Sequence, residues 1–168
     1  KGFTSETAIF DLPTQFDTGC SANPERCYAP SNYDDKFRGP MTFRTALAQS
    51  INIPAIKVLY LAGVKDTLDL AKRMGIQTLG DWRRYGLTLV LGGGEVSLLD
   101  LTSAYGVFAN EGVRNPYATI LRIEERDGTV IREFEEASEQ VLAPNTARVI
   151  SDILSDNDAR QPSYSANS

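Results

Sequence analysis

Ser50 and Asn52 are the residues whose types and spacing are best suited to chemistry. A hydroxyl and a carboxamide are separated by one residue in the run Ser50-Ile51-Asn52. A serine hydroxyl near neutral pH needs a base that accepts its proton and donors that stabilise the developing oxyanion. A hydroxyl and an amide held side by side can assist with both tasks, so these two residues are the candidate catalytic pair.

The pair falls between two predicted helices. From Thr42 to Ser50, apolar residues recur at the i, i+3, i+4, i+7 spacing of one helical face, and Pro40 marks the entry. A second helix follows, with Pro54 in its first turn and Gly63 as a left-handed stop. A junction of this kind exposes short polar side chains that a position inside a helix would turn inward.

Both polar residues also have a common structural explanation. Ser50 can simply end the first helix, and Asn52 can simply cap the second. Asn52 could serve as a cap and as a catalytic residue at the same time. Local sequence alone favours the structural explanation.

The remaining elements are predicted from periodicity and turn residues. They are a helix over residues 65–74 ended by Gly75, a helix capped by Ser97 and ended by Gly112, strands over residues 118–124 and 129–134 joined by Asp127-Gly128, and a helix that begins at Pro144. In the helix capped by Ser97, the expected buried face consists of Leu101, Ala104, Tyr105 and Phe108.

The composition excludes several classes of protein. The chain has 168 residues, 42% of them hydrophobic, which is enough to bury one core. Seventeen basic and 22 acidic residues give a net charge of -5 without a basic cluster, so nucleic acid is not an expected partner. No apolar run approaches the roughly 20 residues of a membrane helix, and no signal-peptide stretch is visible.

Cys20 and Cys27 are the two cysteines of the chain. Their spacing in a loop-like stretch is compatible with a small disulfide ring or with two free thiols, and spacing alone does not decide between them. A zinc site is disfavoured because the chain has no His and two thiols supply half of a tetrahedral shell. We expect no metal and no cofactor.

Three ordered segments resemble the middle of class A penicillin-binding protein transpeptidase domains. The longest is residues 30–55, PSNYDDKFRGPMTFRTALAQSINIPA, which contains the candidate pair. The similarity continues through residues 91–96 (LGGGEV) and 104–112 (AYGVFANEG), and through the hairpin to residues 155–157. The resemblance therefore covers nearly the whole chain and makes an otherwise unspecific Ser-x-Asn run informative.

The resemblance assigns roles to the candidate pair. In this family Ser-x-x-Lys supplies the acylated serine, Ser-x-Asn lines one wall, and Lys-Thr-Gly or Lys-Ser-Gly lies on a facing strand. Only the second motif is present. The resemblance implies that Ser50 relays a proton between the catalytic Lys and the leaving amine. It also implies that Asn52 donates a hydrogen bond to the acyl-amide carbonyl of the substrate and contacts the Lys.

The two missing motifs predict an internal fragment of a peptidoglycan D,D-transpeptidase. The resemblance implies that the fragment begins just after the helix with the nucleophile and ends shortly before the Lys-Thr-Gly strand. Such a fragment would be inactive alone. Its partners, through an intact domain, would be peptidoglycan stem peptides and β-lactams, and a membrane would be reached only through an anchor elsewhere in the parent. The expected location is extracytoplasmic, in the periplasm or on the outer face of the cytoplasmic membrane. The alternative is a non-catalytic binding or interaction module on the same scaffold. A serine β-lactamase relative is disfavoured, because the sequence around the Ser-x-Asn run, residues 33–54, resembles the transpeptidases.

The implied fold class is α+β, mainly helical: a partial penicillin-binding and β-lactamase-like transpeptidase fold with a peripheral β-hairpin. Within one partial transpeptidase domain, 1–168, the expected segments are an irregular arm (1–39), a helical core with the Ser-x-Asn motif (40–112), a β-hairpin (116–136), a helix (144–157) and a tail (158–168).

Other residues that resemble chemical motifs receive no catalytic role. Ser155-Asp156-Asn157 spells a second Ser-x-Asn, but it lies at the end of the last helix. Glu95, Asp100 and Glu111 are single carboxylates in capping or loop positions, where such groups are usually structural or solvated.

Overall fold

A computed structural model describes residues 2–165 of the chain. Lys1 and residues 166–168, the outer ends of the expected arm and tail, lie outside the described residues. The helices are α1 (Phe43–Ala48), α2 (Asn52–Ala62), α3 (Val64–Arg73), α4 (Leu98–Ala109), α5 (Pro144–Ser155) and α6 (Asn157–Arg160), and the strands are β1 (Ala8–Asp11), β2 (Gly39–Thr42), β3 (Val113–Arg114), β4 (Arg122–Glu124), β5 (Val130–Glu133) and β6 (Glu139–Gln140). The mainly helical α+β class predicted from the sequence is confirmed.

The chain divides into two compact units, and each is built from separate stretches of sequence. The first contains the described residues up to 67, together with residues 81–94 and those from 152 onward. The second contains residues 68–80 and 95–151. The candidate pair belongs to the first unit.

The first unit contains a two-stranded antiparallel sheet of β1 and β2. The register pairs Ala8 with Thr42 and Asp11 with Gly39. Pro40 was expected to mark the entry of a helix, but it lies inside β2 opposite Phe10. A proline is tolerated on an edge strand because the missing N–H is not needed there. The helix therefore begins after β2.

Helix α1 has a side-chain cap at its start and a left-handed residue after its end. The hydroxyl of Thr42 accepts a hydrogen bond from the N–H of Thr45 at 3.1 Å, which satisfies one of the free donors of the first turn. At the other end, Ser50 adopts a φ of 55°. The predicted helix ending near Ser50 is confirmed.

The core of the first unit lies under α1, α2 and β1. Ile53, Ile56 and Pro54 are fully buried. The other buried apolar residues of this unit are Ile9, Ala46, Ala48, Ile51, Leu59 and Ile153. A continuous apolar cluster on successive helical turns fixes α2 against its neighbours, because burying such side chains contributes about 1.5–3 kcal/mol each.

The second unit has its own core of Met74, Ala104, Val107 and Val141. The hydroxyl of Ser97 accepts a hydrogen bond from the N–H of Asp100 at 3.1 Å, which confirms the predicted cap of α4. Helix α3 ends close to its predicted boundary. Four partly buried residues, Leu70, Ile76, Phe108 and Leu142, pack around this core.

The buried face of α4 differs from the prediction. Leu101 and Tyr105 were expected to be buried, but they are 42% and 55% exposed. Ala104 is buried and Phe108 is partly buried, as predicted, and the helix also buries Asp100 and Val107. Aromatic and aliphatic side chains occupy both sides of α4, so the apolar spacing fits more than one face, and packing against Met74 and Val141 selects among them.

The predicted hairpin is present but shorter. Strands β4 and β5 pair antiparallel, with a register shift between Ile123 and Glu124. Gly128 has a φ of 87°, the left-handed conformation for which the turn needs a glycine. The bulge interrupts the ladder and shortens the regular pairing.

A short helix lies where the tail was expected to begin. Residues 157–160, which include the last residue of the expected helix and the first three of the expected tail, form α6, and the carboxylate of Asp156 accepts a hydrogen bond from the N–H of Ala159 at 2.9 Å. Among the described residues, the helices are too short or too polar for any of them to cross a membrane.

Candidate functional site

Ser50 occupies the position after a helix end that usually belongs to glycine. The N–H of Ser50 donates to the carbonyl of Leu47 at 3.1 Å, and the N–H of Ile51 donates to the carbonyl of Ala46 at 3.0 Å. These two bonds form a Schellman motif, with Ser50 as the left-handed residue. A non-glycine residue pays for this conformation with about 1–2 kcal/mol of steric strain.

The side chain of Ser50 is available to a ligand. The residue is exposed, and its Oγ makes no hydrogen bond to any of the residues that the structure describes. Strain at a position without a structural need for a hydroxyl is typical of functional sites. The sequence-predicted Ser50 therefore lies on the surface of the helix junction, with its hydroxyl unengaged.

Asn52 is the first residue of α2 and does not cap it. The position before the helix is Ile51, which has no side-chain cap bond. The interpretation of Asn52 as the cap is therefore wrong. Its Nδ2 instead donates to the carbonyl of Ser31 at 3.1 Å. Because a carboxamide carries two N–H donors, one remains for a ligand.

The cap of α2 comes from Asn32, a residue that the sequence analysis did not single out. Asn32 Oδ1 accepts a hydrogen bond from the N–H of Ile53 at 3.2 Å. Its Nδ2 donates to the two carboxylate oxygens of Asp11 at 2.8 and 2.9 Å, and to the carbonyl of Lys36 at 2.7 Å. The signal available in the sequence was an asparagine within residues 30–55, the segment that carries the strongest resemblance.

Asp11 is completely buried, and its charge is compensated locally. Besides Asn32, the N–H of Arg38 donates to its Oδ2 at 2.9 Å, and the guanidinium of Arg38 lies 3.9 Å from the same oxygen. A buried carboxylate requires such partners, because an unpaired charge in a low-dielectric interior is very costly. Asp11 and Asn32 thus form a satisfied polar network beneath the helix junction.

A second polar cluster holds α1 from the other side. Arg44 pairs with Glu6, Asp152 and Asp156, and these contacts raise the pKa of its guanidinium, with Asp152 contributing most. The pKa of the Asp156 carboxyl is lowered mainly by the hydrogen bond from the N–H of Ala159, and Arg44 lowers it further. This cluster connects α1 to α5 and α6.

The residue immediately before Ser50 joins the same support. Gln49 Nε2 donates to the carbonyl of Ala159 at 3.1 Å. The end of α1 is therefore fixed to α6 through a side chain adjacent to the candidate pair.

Asp100, Glu111 and the serine of the second Ser-x-Asn have structural partners. Asp100 accepts a hydrogen bond from the N–H of Gln77 at 3.2 Å. Glu111 pairs with Arg148 at 2.7 Å, which lowers the pKa of its carboxyl. Ser155 Oγ donates to the carbonyl of Asp152 at 3.1 Å. These contacts agree with leaving all three without a catalytic role.

Cys20 and Cys27 form a disulfide, with their Cα atoms 4.5 Å apart. It closes the loop that leads toward Ser31 and Asn32. Of the alternatives that spacing left open, the structure selects the disulfide over two free thiols.

Comparisons with known proteins agree with these motifs. No family model matches the chain. Penicillin-binding protein 1A of Aquifex aeolicus is 38% identical over 127 residues, which are 76% of this chain and 17% of that protein. The chain thus spans less than a fifth of this relative.

Solved structures show the same fold. Penicillin-binding protein 1A from Haemophilus influenzae has a TM-score of 0.77 at 23% identity, covering 95% of this chain and 27% of that one. Penicillin-binding protein 3 from Mycobacterium tuberculosis, in complex with aztreonam, has a TM-score of 0.69 at 18% identity, covering 90% and 36%. On the combined evidence of sequence relatives, fold and motifs, the chain belongs to the class A penicillin-binding proteins and corresponds to a segment of their transpeptidase domain.

Proposed function

We propose that this segment supplies the Ser-x-Asn wall of a serine D,D-transpeptidase site, which cross-links peptidoglycan by acyl transfer from D-Ala-D-Ala stem peptides. The observation that carries the proposal is the strained, exposed Ser50 with an unengaged hydroxyl, two residues from the amide of Asn52. The attacking serine and its lysine belong to a Ser-x-x-Lys motif that this sequence does not contain. The segment alone is therefore inactive.

Ser50 and Asn52 have distinct tasks in the proposed mechanism. The hydroxyl of Ser50 accepts a proton from the lysine ammonium while donating its own to the departing amine nitrogen, so that its protonation state is restored. Asn52 keeps one N–H on the carbonyl of Ser31 and directs the other to the acyl-amide carbonyl of the substrate. A fixed amide donor is effective because it needs no reorganisation during the reaction.

The same site would react with β-lactams, whose strained amide is attacked in place of the stem peptide. The complex of the Mycobacterium tuberculosis protein with aztreonam supports this partner class. The Cys20–Cys27 disulfide supports an extracytoplasmic location, because disulfides persist in oxidising compartments.

Labelling by a fluorescent penicillin, read by intact mass, tests the proposal. The 168-residue chain alone is expected to remain unlabelled, whereas the full-length protein that carries it gains one adduct. In that protein, Ser50→Ala and Asn52→Ala are each expected to slow acylation by about 10²–10⁴-fold.

The second Ser-x-Asn provides a matched control. Ser155→Ala removes a hydroxyl from the same three-residue pattern at the end of α5, and acylation is expected to stay at the wild-type rate. Labelling of the isolated chain on a serine would place the nucleophile inside it and refute the proposal, as would wild-type rates in both the Ser50 and Asn52 variants.

An interaction module on the same scaffold is the second candidate. Exposed apolar side chains favour it: Leu98 and Leu99 on α4 are 81% and 50% exposed, and Tyr60 on α2 is 62% exposed. Surfaces of this kind need a cover, which either the rest of a transpeptidase domain or a partner would supply. If the full-length protein that carries this segment lacks Ser-x-x-Lys and Lys-Thr-Gly, the interaction module is favoured.

A further inference from the structure

The buried pair of Asp11 and Asn32 lies where three parts of the first unit meet. Asp11 ends β1 and is fully buried, and Asn32, 4% exposed, belongs to the loop that precedes β2. The N–H of Ile53 is in the first turn of α2. Strand, loop and helix are thus joined by two side chains that are distant in sequence.

Asn32 uses its whole carboxamide in this network. Its oxygen accepts from Ile53, and its nitrogen donates to Asp11 and to the carbonyl of Lys36. The nitrogen has two hydrogens, so one goes to the carbonyl at 2.7 Å and the other is shared by the two carboxylate oxygens. A side chain with every donor used has one orientation, and it holds its partners in one arrangement.

The adjacent residue holds the catalytic candidate itself. The carbonyl of Ser31 accepts the hydrogen bond from Asn52 Nδ2. Two consecutive loop residues therefore fix both the side chain of Asn52 and the first turn of its helix. Ser50 and its left-handed backbone immediately precede this turn.

The network is more than an ordinary helix cap. A cap normally comes from the residue just before the helix, but here that residue is Ile51, and the cap is supplied from 21 positions away. A local cap would stabilise α2 equally well. A distant, buried cap also determines where α2 begins relative to Ser31.

Asp11 orients Asn32 from a rigid support. Its strand pairs with β2, its Oδ2 accepts the N–H of Arg38, and the neighbouring carbonyl of Phe10 accepts from Lys57 Nζ at 2.7 Å. Lys57 lies on α2, so this bond joins β1 directly to α2, in addition to the link through Asn32. The position of Asn32 is thereby tied to β1 on one side and to α2 on the other.

We propose that Asn32, oriented by Asp11, is the positioning residue that places Ser50 and Asn52 for acyl transfer. The proposal rests on the transpeptidase function proposed above and adds residues to it that do not touch the substrate. Small displacements of reacting groups are costly, since about 1 Å of misplacement can lower a rate about 100-fold.

The test uses the full-length protein that carries this segment and measures acylation by a fluorescent penicillin at saturating concentration. The limiting rate is expressed per folded molecule, with folding followed by thermal unfolding. Asn32→Ala is expected to lower this rate by about 10-fold to 100-fold. A merely structural residue would change the folded fraction or the unfolding temperature but not the limiting rate.

Asp11→Asn provides a second variant. An amide nitrogen in place of one carboxylate oxygen cannot accept a hydrogen bond, so Asn32 Nδ2 loses one of its two contacts with residue 11, while its bonds to Ile53 and Lys36 remain. The limiting rate of Asp11→Asn is expected to fall, by less than in Asn32→Ala. If Asn32→Ala does not fold, Asp11→Asn decides: a folded Asp11→Asn protein with the wild-type rate overturns the proposal.

Ser97→Ala is the matched control, because it removes a side-chain helix cap from α4 in the second unit. It should lower the unfolding temperature and leave the limiting rate unchanged. A folded Asn32→Ala protein with the wild-type rate also overturns the inference. Ser50→Ala and Asn52→Ala, measured in parallel, separate the two proposals: if both have wild-type rates, the transpeptidase assignment fails, and if only Asn32→Ala does, the positioning role alone fails.

Discussion

The N–H of Ile51 donates to the carbonyl of Ala46 at 3.0 Å, and this bond closes the turn that forces Ser50 into the left-handed region, with a φ of 55°. The helix end and the candidate catalytic residue are the same position. Stability and function therefore make opposite demands on residue 50.

Replacing Ser50 by glycine is expected to stabilise the chain while abolishing the proposed function. Glycine relieves about 1–2 kcal/mol of left-handed strain and loses about 0.5–1 kcal/mol to backbone entropy, so a net gain of about 0.5–1 kcal/mol is expected. Thermal unfolding of S50G against S50A, which keeps the strain, measures the difference. An S50G protein that is less stable than S50A would contradict the strain.

Removing the Asp11 carboxylate is expected to destabilise the first unit by about 3–5 kcal/mol in Asp11→Ala, because Asn32 and Arg38 lose a buried charged partner. Urea unfolding followed by the fluorescence of Trp82, which belongs to the same unit, measures the loss. Glu25→Ala, at an exposed position of the same unit, is the control and should change stability by less than about 0.5 kcal/mol. Equal losses in the two variants would contradict the buried network.

The contact between Asp156 and Arg44 predicts a pH dependence. In the folded chain the pKa of Asp156 lies below its ordinary value of 3.8, mainly because of the hydrogen bond from the N–H of Ala159. The contact with Arg44 lowers it further. The carboxylate therefore stabilises the fold fully above that value, and this contribution disappears as the pH falls below 3.8 through the folded pKa.

Asp156→Asn isolates this effect, since asparagine retains an oxygen for the N–H of Ala159 and loses the charge facing Arg44. The difference in unfolding temperature between wild type and variant should be present near neutral pH and shrink in acid below the ordinary pKa. Asp158→Asn, an exposed change in α6, the helix that Asp156 caps, should not reproduce this dependence. A difference that is constant with pH would argue against the ion pair.

Reduction of the Cys20–Cys27 disulfide is expected to lower stability by about 2 kcal/mol, because the crosslink restricts a short loop in the unfolded chain. Unfolding with and without a reducing agent measures the change. The double variant Cys20→Ser/Cys27→Ser should match the reduced protein and be insensitive to the reductant. A reductant effect of the same size in the double variant would show that the loss has another cause.

Features of the fold that depend on neighbouring residues along the chain were predictable. The Ser97 cap, the Asp127-Gly128 turn and the helix after Pro144 all arise from bonds or backbone preferences within a few residues. The two helices around Ser50 also follow from local periodicity. The resemblance carried by residues 30–55 added the family, which periodicity alone does not identify.

Features that depend on distant partners were not predictable. Pro40 lies in a strand because β2 pairs with β1, which is more than 25 residues earlier in the sequence. The apolar positions of α4 fit more than one buried face until Met74 and Val141 selected one.

The candidate site shows the same division. The sequence identified Ser50 and Asn52 by type and spacing, and the local helix end explains the exposure of the serine. Only the tertiary structure decided that Asn52 turns to Ser31 and that Asn32 caps α2, since both bonds join residues 21 positions apart. A buried polar network forms only when distant groups meet with matched donors and acceptors, and no local pattern in the chain encodes that meeting.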